Sequence, residues 1–441
     1  MKFSNTTTLF QDKLHSHFKR ERGLNMSSLV PFVLTSLFLA SVFTFFLLYS
    51  PNSLTFIPKQ TSDFVQQNQQ ELPHQTNITS IPQMEKEAEK CDLFMGHWVP
   101  AVNRSSFYTN SSCPTIPESK NCFKNGRKDN DFLNWKWKPE KCELPRFDSK
   151  TFLDFVRGKK MAFVGDSVAR NHMESLLCLL SQEETPKDVY KDSEDHLRRW
   201  YFPRYDFTLI IIWSKFLIAG EERIINGTGS NIFDLQLDKV DDIWAKDLPD
   251  FDYTVISDGH WFNRVMYLHE GDKLVGCVYC REPNVTDFNI DFPFRIAFRT
   301  AFKYINSCKN CKKMVTLFRT FAPAHFESGA WNSGGYCNST SPLSEGEVDF
   351  GKFEWQLRNA QIEEFEGAKE EGNRTGHKFE LVDVTRAMLM RPDGHPGAHW
   401  GNKWMKGYND CTHWCMPGPV DIWNELMMEV MIRESGLRSG L

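Results

Sequence analysis

Lys160-Met161-Ala162-Phe163-Val164-Gly165-Asp166-Ser167-Val168-Ala169-Arg170-Asn171 decides how this chain is read. The apolar run Met161 to Val164 is strand-like and stops at Gly165, whereas His172 to Leu180 is amphipathic with a helical period. Asp166 and Ser167 therefore sit where a strand becomes a helix. A serine held there has the first free N–H groups of the helix beside it, where a developing oxyanion could be met. Asp and Ser are also ordinary N-caps, so this stretch alone does not separate catalysis from capping.

A second stretch, Asp410-Cys411-Thr412-His413-Trp414-Cys415, supplies what a serine nucleophile needs. Asp and His three apart on a turn can place their side chains on one side of the backbone. The aspartate then orients the imidazole and the imidazole serves as a base. The order of serine early, aspartate and histidine late is one a triad allows. Ser167, Asp410 and His413 are accordingly the candidate catalytic set, beside Gly165 and Asp166, although taken singly a histidine such as His413 is more often an ordinary surface or packed residue.

Composition sets the surroundings. The 441 residues are 41% apolar and 25% charged, a globular balance, and a net charge of −5 points away from nucleic acid or an anionic surface. All twelve cysteines follow residue 90, which suits an oxidising compartment. Leu29 to Tyr49 is a run of 21 uncharged residues preceded by Lys2, Lys13, Lys19, Arg20 and Arg22. The positive-inside rule places the N-terminus in the cytosol and everything downstream across the membrane. A cleaved signal peptide is the alternative, but the run exceeds a typical h-region and no small-x-small site follows at once. An uncleaved single-pass type II signal anchor is therefore expected. Sequons at Asn77, Asn103, Asn110, Asn226, Asn284, Asn338 and Asn373 fit a secretory lumen.

The expected division is a cytosolic tail (1–28), an anchor (29–49), a flexible lumenal stem (50–90), a Cys-rich N-terminal subdomain (91–148) and a catalytic domain (149–441). In the last, Met161 to Val164, Phe207 to Trp213, Tyr253 to Ser257, Met314 to Phe318 and Phe379 to Val382 are well-spaced apolar runs. Such spacing predicts an α/β domain with a parallel sheet and crossover helices, and ligands at the carboxyl ends of its strands. The Gly-x-Ser-x-Gly elbow of α/β-hydrolases is absent.

Together the Gly-Asp-Ser and Asp-x-x-His stretches resemble the two signature motifs of the plant TRICHOME BIREFRINGENCE-LIKE family, and the resemblance runs from about Cys91 to the end. It implies an SGNH or GDSL hydrolase-like fold, a parallel sheet with helices on both faces, plus a small disulfide-rich N-terminal subdomain. It also implies bridges Cys91 to Cys142, Cys113 to Cys178, Cys122 to Cys411 and Cys337 to Cys415. Arg391-Pro392-Asp393-Gly394-His395-Pro396 resembles a further stretch of the family, although its Pro and Gly content alone says only that it is a turn. Asp166 to Gln182, Trp400 to Asn424 and the paired Cys-x-x-Cys look most like the xyloglucan O-acetyltransferase branch.

The implied chemistry is acetyl transfer through an acetyl-serine to galactosyl hydroxyls of xyloglucan in the Golgi lumen. The oxyanion donors would be Ser167 N–H with candidates among Arg170, Asn171, Gly259 and His260. Trp261, Trp400, Trp404 and Trp414 lie near the motifs and could stack on sugar. No bound cofactor or metal is expected. The acetyl donor would be acetyl-CoA or a lumenal carrier, and because one span cannot move acetyl groups, a separate multi-span protein would supply it. Cys277, Cys280, Cys308 and Cys311 form two Cys-x-x-Cys motifs that the compartment favours as disulfides over zinc ligands. The rival readings are transfer to xylan, mannan or pectin, a polysaccharide acetylesterase, and a non-enzymatic wall-binding protein.

Overall fold

Strands form where the β-branched and aromatic runs lie. In the computed structural model, which describes residues 91–101, 105–402, 405 and 407–436, the main sheet holds seven strands. In chain order the strands are β1 (Gly96–Pro100), β2 (Trp135–Pro139), β3 (Lys160–Gly165), β4 (Lys187–Lys191), β5 (Leu197–Phe202), β6 (Phe207–Trp213) and β7 (Ile218–Ile225). They continue with β8 (Thr228–Val240), β9 (Tyr253–Ser257), β10 (Val265–Glu270), β11 (Lys273–Val278), β12 (Val315–Arg319) and β13 (Lys378–Val382). The order across the main sheet is β13-β12-β9-β3-β6-β5-β4.

All five expected runs are in that sheet and mutually parallel, from β13 to β6. Two antiparallel strands, β5 and β4, extend one edge, and a second sheet β11-β10-β8-β7 is hydrogen-bonded separately while sharing a core with the main sheet. Neither feature was expected from the sequence. β4 (Lys-Asp-Val-Tyr-Lys) is exposed along its length, so it carries no buried alternation to betray it. β8, by contrast, buries Phe233, Leu235 and Leu237 with period two, a legible signal.

Period two also divides the core. Met161 and Phe163 of β3, with Leu209 and Ile211 of β6, pack on helices α1 (Ser149–Phe155), α2 (Ser167–Leu180) and, at the chain's end, Ile422–Glu434. Ala162 and Val164, with Ile210 and Ile212, face the other way onto α3 (Asp291–Ser307) and α4 (Phe353–Thr375). Helices thus cover both faces of the sheet. In α2, Leu176, Leu177, Leu179 and Leu180 are at most 1% exposed, each contributing about 1.5–3 kcal/mol by burial. A charge at any of them would lift α2 off the sheet. Gly165 lies opposite both Trp213 and Ser257, so the ends of β3, β6 and β9 are level where Ser167 emerges.

The N-terminal subdomain is an antiparallel β1–β2 pair with irregular chain around it. Cys91–Cys142 closes it, and Cys113–Cys178 ties it to α2, both as the family resemblance implies. The other two bridges are exchanged: Cys122 joins Cys415, and Cys337 joins Cys411, rather than Cys122 to Cys411 and Cys337 to Cys415. Local pairing decides it. Asp410 exchanges two backbone hydrogen bonds with Gly397, whose surroundings include Cys337, while Met416 N–H donates to Lys120 O and brings Cys415 against the subdomain. Cys277–Cys280 and Cys308–Cys311 each close on themselves.

The tail, anchor and stem expected over residues 1–90 lie outside the described residues, as do Asn77, Asn103 and Trp404. Among the described residues no helix is long and apolar enough to cross a membrane. Asn110, Asn226, Asn284, Asn338 and Asn373 are exposed.

Candidate active site

β3 delivers Gly165 in a conformation with φ +145°, where a side-chain Cβ would lie 1.6 Å from Ser257 O. Only glycine allows the strand to turn that closely past its neighbour. Asp166 follows as the N-cap of α2, its Oδ1 accepting from Val168 N (2.8 Å) and Ala169 N (3.2 Å). Ser167 is the first residue of the helix, so its N–H has no intrahelical acceptor and stays available to an oxyanion. The cap is thus Asp166, and the Ser167 side chain is not the one that caps α2.

Asp410 and His413 meet as the spacing predicts. His413 Nδ1–H donates to Asp410 Oδ2 at 2.8 Å, and Asp410 Oδ1 accepts from Thr412 N (3.0 Å) and His413 N (2.9 Å). Burial works to raise the Asp410 carboxyl, but the His413 ring and the two backbone donors prevail and hold it well below the usual carboxylate range. Ser167, Asp410 and His413 all line one cleft of about 240 Å³. The serine and the Asp–His pair, 243 positions apart from Ser167 to Asp410, are brought together by the sheet.

The four oxyanion candidates part company. His260 lines the cleft, yet its backbone N–H and Nδ1 both reach Asp166 Oδ2 (3.0 and 2.9 Å) and its Nε2 lies 2.9 Å from Ala322 O. It is a strut between the Asp166 cap and the loop after β12. Burial tends to raise the Asp166 carboxyl, but His260 with Arg319 holds it well below the ordinary range. Gly259, at φ +146°, is wedged against Phe321 and Phe294, where a Cβ would lie within 3 Å of both rings. Arg170 reaches the Asp195 carbonyl and carboxylate, away from the cleft. Asn171, fully buried, accepts from Trp414 N (2.8 Å) and donates to Trp414 O (3.4 Å), clamping the Asp-x-x-His loop to α2.

Sequence reasoning named Trp261 and Trp400 but missed the rest of the aromatic and cationic wall. Besides Trp261 and Trp400, the cleft is lined by Phe326, Trp331, Asn263 and Arg264. The Arg264 guanidinium lies 5.2 Å from the Trp261 ring centre and 5.8 Å from that of Trp331, and burial lowers its pKa. Trp414 is core rather than wall: it is fully buried and its ring centre lies 4.1 Å from that of His395. Among the described residues, Cys277, Cys280 and Asp287 are the one cluster with ligand atoms close enough for a metal, and both sulfurs are joined in a disulfide.

Residues 144–430 match a GDSL/SGNH-like acyl-esterase family found in Pmr5 and Cas1p, and residues 89–143 match the PMR5 N-terminal domain. The chain is 57% identical to a Populus trichocarpa protein named xyloglucan O-acetyltransferase 4, over 94% of this chain and 95% of that one. It is 49% identical to Arabidopsis thaliana xyloglucan O-acetyltransferase 2, over 97% and 98% of the two chains. Similarity to Arabidopsis thaliana protein trichome birefringence-like 19 is 43% over 83% of this chain and 86% of that one.

Proposed function

Because the chain belongs to the GDSL/SGNH-like acyl-esterase family found in Pmr5 and Cas1p, we propose that it is a polysaccharide O-acetyltransferase working through an acetyl-serine on Ser167. The observation that carries this reading is the single cleft onto which Ser167, Asp410 and His413 all open. His413 Nε2 takes the Ser167 hydroxyl proton as Oγ attacks the acetyl carbonyl. The oxyanion is met by Ser167 N–H at the start of α2. On collapse the donor's leaving group departs with the proton from His413. An acceptor hydroxyl then attacks the acetyl-serine, His413 takes its proton, and that proton returns to Ser167 Oγ. Asp410 keeps the imidazole in the Nδ1–H tautomer throughout.

The acceptor we propose is the galactosyl side chains of xyloglucan, following the names of the relatives. Trp261, Trp331 and Trp400 offer flat apolar faces for sugar rings, and Arg264 offers donors for hydroxyls. Xylan, mannan and pectin are the competing acceptors. The acetyl donor would be acetyl-CoA or a lumenal carrier, supplied by a multi-span membrane protein. The basic tail and the uncharged Leu29 to Tyr49 run support a type II anchor with the cleft in the lumen, the exposed sequons suit that side, and the Golgi as the compartment follows from the family resemblance alone.

A second reading, hydrolysis of acetyl esters, is favoured by the family's description as acyl-esterases, since water can replace the sugar hydroxyl at the acetyl-serine. Incubating the full chain with an activated acetyl donor and xyloglucan, xylan, mannan and pectin oligosaccharides separates these. One acetyl mass gained on galactosylated xyloglucan alone supports the proposal. Acetylated xylan, mannan or pectin would replace the acceptor, and free acetate without acetylated sugar would make the protein an esterase.

A further inference from the structure

The stretch Arg391 to Pro396, a bare turn in sequence, lies beneath the Asp-x-x-His loop. Arg391 pairs with Asp393, both at 1% exposure, and Gly394 O accepts from Cys415 N (2.9 Å). His395, 4% exposed, has Nδ1 2.7 Å from the carbonyl oxygen of His413 and Nε2 2.7 Å from Nδ1 of His325. His325 in turn has Nε2 3.2 Å from Leu389 O. Neither ring lines the cleft with Ser167, so neither touches substrate.

Protons can be counted along this chain. Carbonyl oxygens only accept, so the three contacts call for three N–H groups, whereas two neutral imidazoles carry two. Burial holds both rings below the ordinary imidazole range, with Lys352 adding to this at His325 and His325 adding to it at His395, so near pH 7 the pair is neutral. The short contact to His413 O requires Nδ1–H on His395. Its Nε2 must then accept, so His325 donates from Nδ1. That leaves a lone pair on His325 Nε2 facing Leu389 O, and this contact is the longest of the three.

We propose that His395 is a positioning residue for His413 and that His325 sets its tautomer, both rings being held as Nδ1–H imidazoles. His395 fixes the carbonyl of the residue whose ring is the base, without itself lining the cleft. Without His325 the proton on His395 is free to move to Nε2, and the His413 carbonyl loses its donor. The kinetic consequence rests on the function proposed above; the tautomers do not.

Ring-nitrogen NMR of the full chain carrying isotope-labelled histidine, with signals assigned through His325→Asn and His395→Asn, reads the tautomers directly. Near pH 7 both rings should show protonated Nδ1 and bare Nε2, and His325→Leu should move His395 toward an Nε2–H mixture. An Nε2–H ring at either position in the wild type overturns the proposal. In acetyl transfer, His395→Leu and His325→Leu should each lower kcat about tenfold, with acceptor KM within about twofold, the effect of one neutral hydrogen bond lost. Asparagine at either position, whose amide N–H can replace Nδ1–H, should restore most of the rate. Equal losses in the Leu and Asn variants, or losses confined to KM, would leave only a packing role and reject positioning. Should a Leu variant fail to fold, the wild-type spectrum and the Asn variants still decide. If the wild type transfers no acetyl group, the function reading fails while the tautomers remain a separate result.

Discussion

His413 Nδ1 lies 2.8 Å from Oδ2 of Asp410, and the other oxygen of that carboxylate is occupied by two backbone N–H groups. An aspartate held at both oxygens cannot rotate away from the imidazole. Asp410→Asn keeps the shape but presents an amide N–H or a neutral oxygen to the ring, releasing the tautomer that leaves Nε2 bare. We expect kcat to fall about a thousandfold or more, with acceptor KM nearly unchanged and the fold intact by circular dichroism. A loss below tenfold would mean that His413 does not depend on Asp410.

Asn171 ties α2 to the loop through both halves of its amide. Replacing it with Ala leaves the buried N–H and C=O of Trp414 without those partners, at a cost of about 1–3 kcal/mol. Thermal unfolding should move to lower temperature, and kcat should fall with it, because His413 is next to Trp414. An unchanged melting temperature together with lost activity would instead point to direct contact with the oxyanion.

Trp331 is 38% exposed at the cleft, with Arg264 beside it. Trp331→Ala and Arg264→Gln should raise acceptor KM about tenfold while leaving the acetylation of Ser167 by a small activated ester unchanged. That split assigns the wall to the sugar. Equal slowing of the acetylation step would assign it to the donor instead.

The acid limb of stability follows from two carboxylates. Asp166 and Asp410 are both held below their ordinary value near ~3.9, so the stability they add is present above that value and is lost as pH falls toward their folded values. Melting temperature should therefore drop steeply below about pH 4. In Asp410→Asn, and again in Asp166→Asn, the drop between about pH 5 and pH 3 should be shallower than in the wild type. Identical slopes would contradict the assignment.

Much of the sheet was legible because β3, β6, β9 and β12 are largely apolar runs buried on both faces, and the edge strand β13 still buries Phe379 and Val382. The strand-to-helix junction at Ser167 was legible because Gly165 marks the strand end and Asp166 the helix start. β4 was not, since its residues are all exposed and it is ordered by pairing with β5. The exchange of disulfide partners was hidden because Cys411 and Cys415 are four apart on one loop, and which of them faces Cys337 depends on the Gly397–Asp410 pairing. Asn171 and His260 looked like oxyanion donors by position. Their polar atoms are engaged by Trp414, Asp166 and Ala322, partners that only the tertiary structure supplies. Arg264 and Trp331 could have been found only by asking which aromatic and cationic residues the loops bring to the end of β3.

The central claim is that an acetyl group rests on Ser167 before it reaches sugar. The most direct measurement is the mass of the Ser167 peptide after the full chain meets an activated acetyl donor without acceptor, followed by addition of galactosylated xyloglucan oligosaccharide. The account predicts one acetyl group on Ser167, absent in Ser167→Ala, that disappears as the oligosaccharide gains the same mass. Acetylated oligosaccharide formed by Ser167→Ala at the wild-type rate would contradict it.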